Sequence, residues 1–380
     1  MSAKTRSNVR NSYIDLLRFV FCMLIFIHHS GHVTHGVVTL FPSGGIAADT
    51  FFMLTGYYAI RHLEKFREKR TTESDLVFSK DILISGNPAA YSMRYTVRKL
   101  LKTCPYLLIG SIISYALSVR DLILSGTLST DSLLDLFRGL VTEVTLLPLT
   151  GILGPIQDDP NLYRNAPMWY LSAILLVLPV IMTLAIKFRD IFKNYLVWIL
   201  PAVLFGWTMN RFGKPLGWKV LIGFLYSGTI RGFIGMMMGA SIYYAARALS
   251  ENRFFASKPL FTTAVEIAVM ILFTVRAIQG ITGYRQIFLY YMTAVSLTLS
   301  FSGITYTSRI SWRPFEFLGK LSLPVYCLHW GIYQWVAIVF PELGYLRAIA
   351  VTFLICVVIS FLIMNLVKFF SDRLKTGKTA

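Results

Sequence analysis

Two polar side chains, Arg18 and His29, interrupt the first apolar segment of this 380-residue chain. On an α-helix, their spacing of eleven residues corresponds to about 1100° of rotation, so the two side chains lie within roughly 20° of one face. The same spacing separates them by about 16 Å along the helix axis, which excludes a direct contact. An ionisable residue inside a membrane helix is costly and usually faces a cavity, a partner or a substrate path. This face is therefore the first candidate for chemistry.

The two residue types suit different parts of one reaction. The planar, permanently charged guanidinium of Arg18 is suited to phosphate, and the imidazole of His29 is suited to proton transfer near neutral pH. A long donor with phosphates at one end and a reactive group at the other, such as coenzyme A, could lie along this face. The first helix alone also allows a second interpretation, in which Arg18 reaches lipid phosphates and His29 forms a hydrogen bond with another helix.

Four histidines, His28, His29, His32 and His35, lie close together at the end of this segment. Histidines three or four residues apart on a helix can bind a metal ion. However, His28 and His35 point well away from the face of Arg18, and no acidic ligand lies at helical spacing among the four. We therefore predict no metal site.

The composition is that of an integral membrane protein. Hydrophobic residues make up 55% of the chain and charged residues only 15%, the mean hydropathy is +0.59, and the apolar blocks are long enough to cross a bilayer. The net charge of +18 would suggest nucleic acid in a soluble chain. Here the basic residues lie mainly between apolar blocks, which is typical of cytoplasmic loops that face anionic lipid. We expect membrane lipids, and not nucleic acid, to be the partner of this charge.

Apolar segments of about 20 residues predict an all-α fold with ten transmembrane helices. These segments are approximately Tyr13–Val33, Gly45–Ile60, Leu100–Ser118, Met168–Ile186, Tyr195–Asn210, Thr229–Ala246, Pro259–Ile278, Gln286–Ile304, Leu321–Phe340 and Leu346–Phe369. The stretch Leu133–Gly154 is also apolar, but charged residues, prolines and glycines interrupt it. We expect an interfacial or re-entrant segment there.

The distribution of basic residues gives the orientation. With ten spans, the positive-inside rule places the largest basic clusters and both chain termini on the cytoplasmic side. The short loop that carries Arg211, Lys214 and Lys219 is a mild exception. We predict one integral-membrane domain over residues 1–370, followed by a short cytoplasmic tail over residues 371–380.

Four motifs along the chain resemble those of the membrane-bound acyltransferase family 3, of the polysaccharide O-acetyltransferase type. Arg18 and His29, with ten residues between them, resemble the family's Arg-x10-His signature. The stretch GIAADTFFMLTGYYAI is similar to the family's GVDLFFVLSGF, with Asp49 at its acidic position. The other two are WYL, which begins at Trp169, and FLGKLSLPVYCLH, which ends at His329.

The resemblance implies an enzyme of the inner membrane. It would take an acyl group, most typically acetyl, from cytoplasmic acyl-CoA and pass it to a hydroxyl of a cell-surface glycan or a lipid-linked sugar. The resemblance also implies that His29 is the catalytic base and that Arg18 is an essential residue on the donor side. Such a reaction is chemically reasonable, because an alcohol is a poor nucleophile and a positioned histidine can take its proton.

A basic stretch before the third span completes the expected donor site. The family has an Arg-x-x-Arg pair just before a proline, and Lys99 and Lys102 take those places ahead of Pro105. Lysine still attracts phosphate but lacks the bidentate fork of arginine. We expect Arg98, Lys99 and Lys102, together with Trp169, to bind acyl-CoA.

Several of these residues also have simpler interpretations. Asp49 could orient His29, as an acid does behind a catalytic histidine, or it could cap the helix that follows it. Lys99 and Lys102 could be ordinary positive-inside residues, and Trp169 could be an interfacial aromatic residue. We expect His329 to be a buried packing histidine and not a second base.

A second class of function uses the same polar face. A transporter or exporter of a glycan or lipid-linked intermediate would also need polar side chains inside the membrane. Such transporters often contain repeated halves and paired broken helices, and the sequence shows no convincing repeat. Acyl-CoA-dependent labelling of an acceptor would separate the two functions.

Overall fold

The computed structural model describes residues 11–33, 40–70, 86–153, 163–213, 217–281 and 283–376. Over these ranges the chain is almost entirely helical, which confirms the predicted all-α class. The exception is one short hairpin, in which β1 (Leu221–Ile222) pairs antiparallel with β2 (Leu225–Tyr226).

Fourteen helices are numbered here in chain order over the described residues. They are α1 (Ser12–His28), α2 (Ile46–Arg70), α3 (Pro88–Leu101), α4 (Cys104–Leu124), α5 (Thr130–Val144), α6 (Trp169–Lys187), α7 (Arg189–Ile191), α8 (Val197–Phe212), α9 (Ser227–Glu251), α10 (Arg253–Ala256), α11 (Pro259–Ile278), α12 (Gln286–Ser302), α13 (Arg313–Val339) and α14 (Tyr345–Thr376). A 3-10 turn, His29–Val33, follows α1, and a π-helical turn, Phe192–Leu196, joins α7 to α8.

Six helical segments of the described chain are long and apolar enough to cross a membrane. They are Ser12–Gly31, Cys104–Leu124, Ala166–Lys187, Arg189–Phe212, Pro259–Ile278 and Tyr345–Phe370. The other four predicted spans form α2, α9, α12 and α13. Polar residues lower the mean hydropathy of α2, α9 and α13, and α12 has only 17 residues, so these four are not among the six. The protein is thus a multi-pass membrane protein, while the count of ten and the side of the termini stay predictions.

The stretch predicted not to span forms α5, which is not among the six candidate spans. Its first turn is closed by a capping box between Ser129 and Ser132. Its buried face carries Glu143, and its opposite face exposes Leu133 and Phe137. An amphipathic helix of this kind suits the membrane interface.

Some sequence features fall outside the described residues. Among them are His35, Lys214 and residues 377–380 of the predicted tail. Helix α14 continues to Thr376, beyond the predicted start of that tail at residue 371.

Helices α2 and α9 run parallel and pack with their backbones in close contact. A Cβ atom at Gly56 would lie 1.9 Å from the carbonyl oxygen of Met236, and one at Gly239 would lie 2.0 Å from that of Met53. Small residues allow such an approach between membrane helices. The contact fixes the relative height of the two helices, and therefore which side chains of their first turns face each other.

We expect Gly56→Ala to destabilise the protein by about 1–3 kcal/mol, the usual cost of overpacking, because α2 and α9 must separate to admit the methyl group. The matched control is Gly206→Ala in α8, where an added Cβ has no atom within 4 Å and alanine favours the helix. Thermal unfolding of the two purified variants in detergent measures both effects. Equal midpoints would contradict the close packing described here.

Candidate functional site

The catalytic candidate His29 lies at the end of α1 and contacts a second histidine. Its Nδ1 atom is 2.8 Å from Nε2 of His329, and the planes of the two rings are only 18° apart, with centroids separated by 5.1 Å. Nδ1 of His329 is 2.7 Å from the carbonyl oxygen of Tyr326, one turn earlier in α13. His329 is 1% exposed. The sequence suggested that His329 is only a packing residue, whereas in the structure it contacts His29.

Parallel packing of α1 against α13 sets this pairing. Near the start of both helices, a Cβ at Gly319 would lie 2.6 Å from Cβ of Asp15, so glycine allows the close approach. One to two turns further along, the Cys22 thiol donates a hydrogen bond to the carbonyl oxygen of Ser322 at 3.0 Å. The two helices advance together from these contacts, and their histidines therefore meet.

A cavity of about 330 Å³ brings together three of the predicted donor-site cations. Arg18, Lys99 and Lys102 all line it, together with side chains of α2, α6 and α13. Two tyrosines, Tyr170 and Tyr326, also line it. Because Tyr326 holds His329 through its carbonyl oxygen, the cavity reaches from the cations to the residue next to the histidine pair.

Arg18 keeps access to this cavity although it has an acidic neighbour. Its Nη1 donates to Oδ1 of Asp15 at 3.3 Å, a contact of the i,i+3 type within α1. The Arg18 side chain is 32% exposed, and a guanidinium has five N–H donors. Asp15 therefore orients Arg18 and leaves donor capacity for an anion.

Lys99 and Lys102 reach the cavity from the end of α3 and the turn before α4. Burial, together with the nearby charges of Arg18 and Lys102, lowers the pKa of Lys99 to about 8. Three cations around one cavity repel one another, and a bound polyanion would relieve that repulsion. The cavity is therefore suited to phosphate groups.

Asp49 is buried in a charge cluster between three helices. Arg231 of α9 donates to both of its carboxylate oxygens, at 2.6 and 3.2 Å, and the Tyr290 hydroxyl of α12 donates to it at 2.7 Å. An acid that orients His29 would bind its Nδ1 atom. In the structure this atom faces His329 and not Asp49. These contacts make Asp49 the counter-charge of Arg231.

The two remaining donor-site candidates lie apart from the cavity lining. Arg98 is exposed on α3. Trp169 is buried at the start of α6 with Arg231 over its ring, 5.1 Å from the centroid. Its neighbour Tyr170 lines the cavity instead, and the Tyr170 hydroxyl lies 3.0 Å from that of Thr55.

Glu143 of α5 fastens the segment before α6 to the bundle. Its carboxylate accepts hydrogen bonds from the Ser111 hydroxyl at 2.5 Å and from the backbone N–H groups of Arg164 and Asn165 at 2.5 and 3.3 Å. The Asn165 amide in turn donates to the carbonyl oxygen of Cys327 at 2.9 Å. This segment is therefore held against α13 within one turn of His329.

Sequence reasoning missed Arg231 and the pairing of the two histidines. Arg231 is a charge near the start of a predicted span, and such a charge needs a partner within the membrane. Asp49 occupies the matching position in another predicted span. The two opposite charges were a usable signal. The contact between His29 and His329 had no comparable signal, because two histidines carry no opposite charges that would identify them as partners.

Fold and site together define a multi-helix membrane protein with a cation-lined cavity that extends toward a histidine pair. A match to the model of acyltransferase family 3, described as an acyltransferase domain, covers residues 11–365. The chain therefore belongs to this family, as its motifs predicted, and with its apolar helices it is a membrane acyltransferase. Comparisons with curated proteins and with solved structures gave no match.

We expect Asp49→Ala to lower stability by about 3–5 kcal/mol, because it leaves Arg231 buried without a counter-charge. The double variant Asp49→Leu/Arg231→Met removes both charges and should recover a large part of this loss. Thermal unfolding of the purified variants provides the comparison. A double variant less stable than Asp49→Ala would contradict the assignment of the two residues as a charge pair.

Proposed function

We propose that this protein is an O-acyltransferase of the cytoplasmic (inner) membrane. It moves an acyl group, most simply acetyl, from cytoplasmic acyl-CoA to a hydroxyl of a cell-surface glycan or a lipid-linked sugar. The observation that carries the proposal is the cavity where Arg18, Lys99 and Lys102 meet. Arg18 lies on α1, and His29 directly follows the last residue of that helix. The membership in an acyltransferase family supports the reaction class.

In this proposal the three cations bind the phosphates of the donor. Tyr170 and Tyr326 also line the cavity that these cations share. The carbonyl oxygen of Tyr326 bonds to His329 of the histidine pair. About 16 Å of helix rise separates Arg18 from His29, so a donor with an extended arm is needed to bridge them. Exposed Arg98 would add long-range attraction for the anionic donor, and Trp169 would support Tyr170 through the ring of Phe52, which contacts both.

His29 supplies the base for the chemical step. It takes the proton of the acceptor hydroxyl as that oxygen attacks the thioester carbonyl. The new ester C–O bond forms, the C–S bond breaks, and the thiolate of coenzyme A leaves with the electron pair. The proton held on His29 then neutralises the thiolate, which restores the base for the next cycle.

The proposed topology agrees with this division of labour. With ten spans and a cytoplasmic N-terminus, the Arg18 end of α1 faces the compartment that contains acyl-CoA. His29 then lies toward the outer face, where surface glycans and lipid-linked sugars are presented. Mass spectrometry of surface glycans from cells with and without the protein would identify the acceptor.

We expect His29→Ala to lower kcat by about 10²–10⁴-fold, the usual contribution of a general base, and Arg18→Ala to abolish acylation through loss of donor binding. Both variants should keep their membrane level. The assay is transfer of a radiolabelled acyl group from acyl-CoA to purified acceptor. His62→Ala is the matched control, because His62 lies on α2 and its ring contacts Tyr91 and Tyr95 of α3.

Retained acylation in both variants would refute the proposed mechanism. Glycan export without acyl transfer by the wild-type protein would favour the transporter instead.

We expect the KM for acyl-CoA to rise as the pH increases through about 8, because Lys99, with its pKa lowered to about 8, loses its charge there. Below that pH the ammonium is charged and attracts phosphate. Lys99→Arg keeps the charge and should flatten this part of the profile. Initial rates between pH 7 and pH 9.5 test this prediction, and a wild-type KM independent of pH over this range would contradict it.

A further inference from the structure

We propose that His329 is a positioning residue for His29. In this role it fixes the tautomer of His29 that can act as a base, and it shares the positive charge formed when His29 takes a proton. The inference rests on the proposed function for its catalytic meaning, but the geometry of the two rings carries it independently.

The hydrogen-bond chain determines which nitrogen atoms carry protons. The carbonyl oxygen of Tyr326 can only accept, so Nδ1 of His329, 2.7 Å away, must be protonated. In the neutral ring the lone pair of His329 then lies on Nε2. That nitrogen accepts a hydrogen bond from Nδ1–H of His29 at 2.8 Å. His29 is therefore protonated on Nδ1, and its own lone pair lies on Nε2.

Packing holds the accepting ring in place. His329 is 1% exposed, and the rings of Phe26, Tyr326 and Tyr333 surround it at centroid distances of 6.2, 5.8 and 6.4 Å. A buried ring packed among three aromatic neighbours is hindered from flipping, and its hydrogen bond to Tyr326 favours the observed orientation. The nitrogen that faces His29 is thus fixed by the fold.

The same chain accommodates the proton that the reaction produces. When Nε2 of His29 takes the proton of the acceptor hydroxyl, the ring becomes a cation that donates from Nδ1 to His329. That proton can move to Nε2 of His329, whose second N–H already donates to a carbonyl oxygen. The positive charge is then distributed over two rings until the thiolate of coenzyme A takes a proton from His29, so the proton lost by the acceptor hydroxyl ends on the coenzyme A thiol.

Three substitutions at His329 separate positioning from packing. His329→Leu removes the acceptor and should lower kcat at least about 100-fold with the KM for acyl-CoA unchanged. His329→Gln keeps a neutral acceptor near the place of Nε2 and should restore part of that kcat. His329→Glu supplies a charged acceptor that stabilises the His29 cation, so the acidic limb of the pH profile of kcat/KM should move to higher pH.

Tyr333→Phe is the packing control for these variants. Its ring contacts His329, and in the described part of the chain its hydroxyl has no hydrogen-bond partner. We expect its kcat and pH profile to equal those of the wild type. The proposal is overturned if His329→Leu keeps wild-type kcat, or if Leu, Gln and Glu lower activity equally with no shift in pH profile.

A spectroscopic measurement tests the tautomer without turnover. The chain has six histidines, and the ring ¹⁵N signals of His29 can be assigned by their loss in His29→Ala. We expect the protonated nitrogen of His29 to be Nδ1 in the wild type, and this preference to weaken in His329→Leu. A wild-type His29 protonated on Nε2 would overturn the proposal. If the expected tautomer is found but wild-type protein transfers no acyl group, the proposed function fails and the positioning role stands.

Discussion

An ionisable side chain inside an apolar helix bundle must find its partner on another helix, and much of this structure follows from that requirement. Water is not available there to solvate a charge or an unpaired hydrogen-bonding group. Asp49, Arg231 and Tyr290 satisfy one another across α2, α9 and α12. His29 and His329 do the same across α1 and α13. The polar contacts therefore join helices that lie far apart in sequence and specify which of them are neighbours.

Small residues make these polar contacts possible. Gly56 and Gly239 bring α2 and α9 close together, and Gly319 does the same for α1 and α13. In both pairs the helices run parallel, so groups near corresponding ends meet at one level of the membrane. The glycine contacts set the distance and the relative height of the helices, and the polar groups then pair across the interface at that register.

The sequence predicted the grouping of the three cations better than the pairing of the two histidines. Arg18, Lys99 and Lys102 were predicted from residue chemistry and motif position, and the structure gathers all three around one cavity. Lys99 and Lys102 lie at the boundary between α3 and α4 and Arg18 lies in α1, at positions where the family pattern is informative. The partner of His29 depends instead on which helix packs beside α1. A periodic apolar pattern gives the buried face of a helix but not the identity of the helix that covers it.

The fold shows the same division. Most apolar blocks became helices near their predicted bounds, because length and hydrophobicity are properties of a local segment. The role of Asp49 was harder to predict, because the sequence alone does not show whether it orients His29, caps its helix or pairs with Arg231. That choice depended on contacts across 182 residues.

The hold of Glu143 on the segment before α6 has a consequence for how this protein can diversify. The carboxylate binds main-chain N–H groups at residues 164 and 165, and every residue except proline supplies that group. At Arg164, therefore, the attachment places almost no demand on the side chain. The backbone can therefore keep this attachment beside the histidines when residue 164 changes, provided that the new residue is not proline.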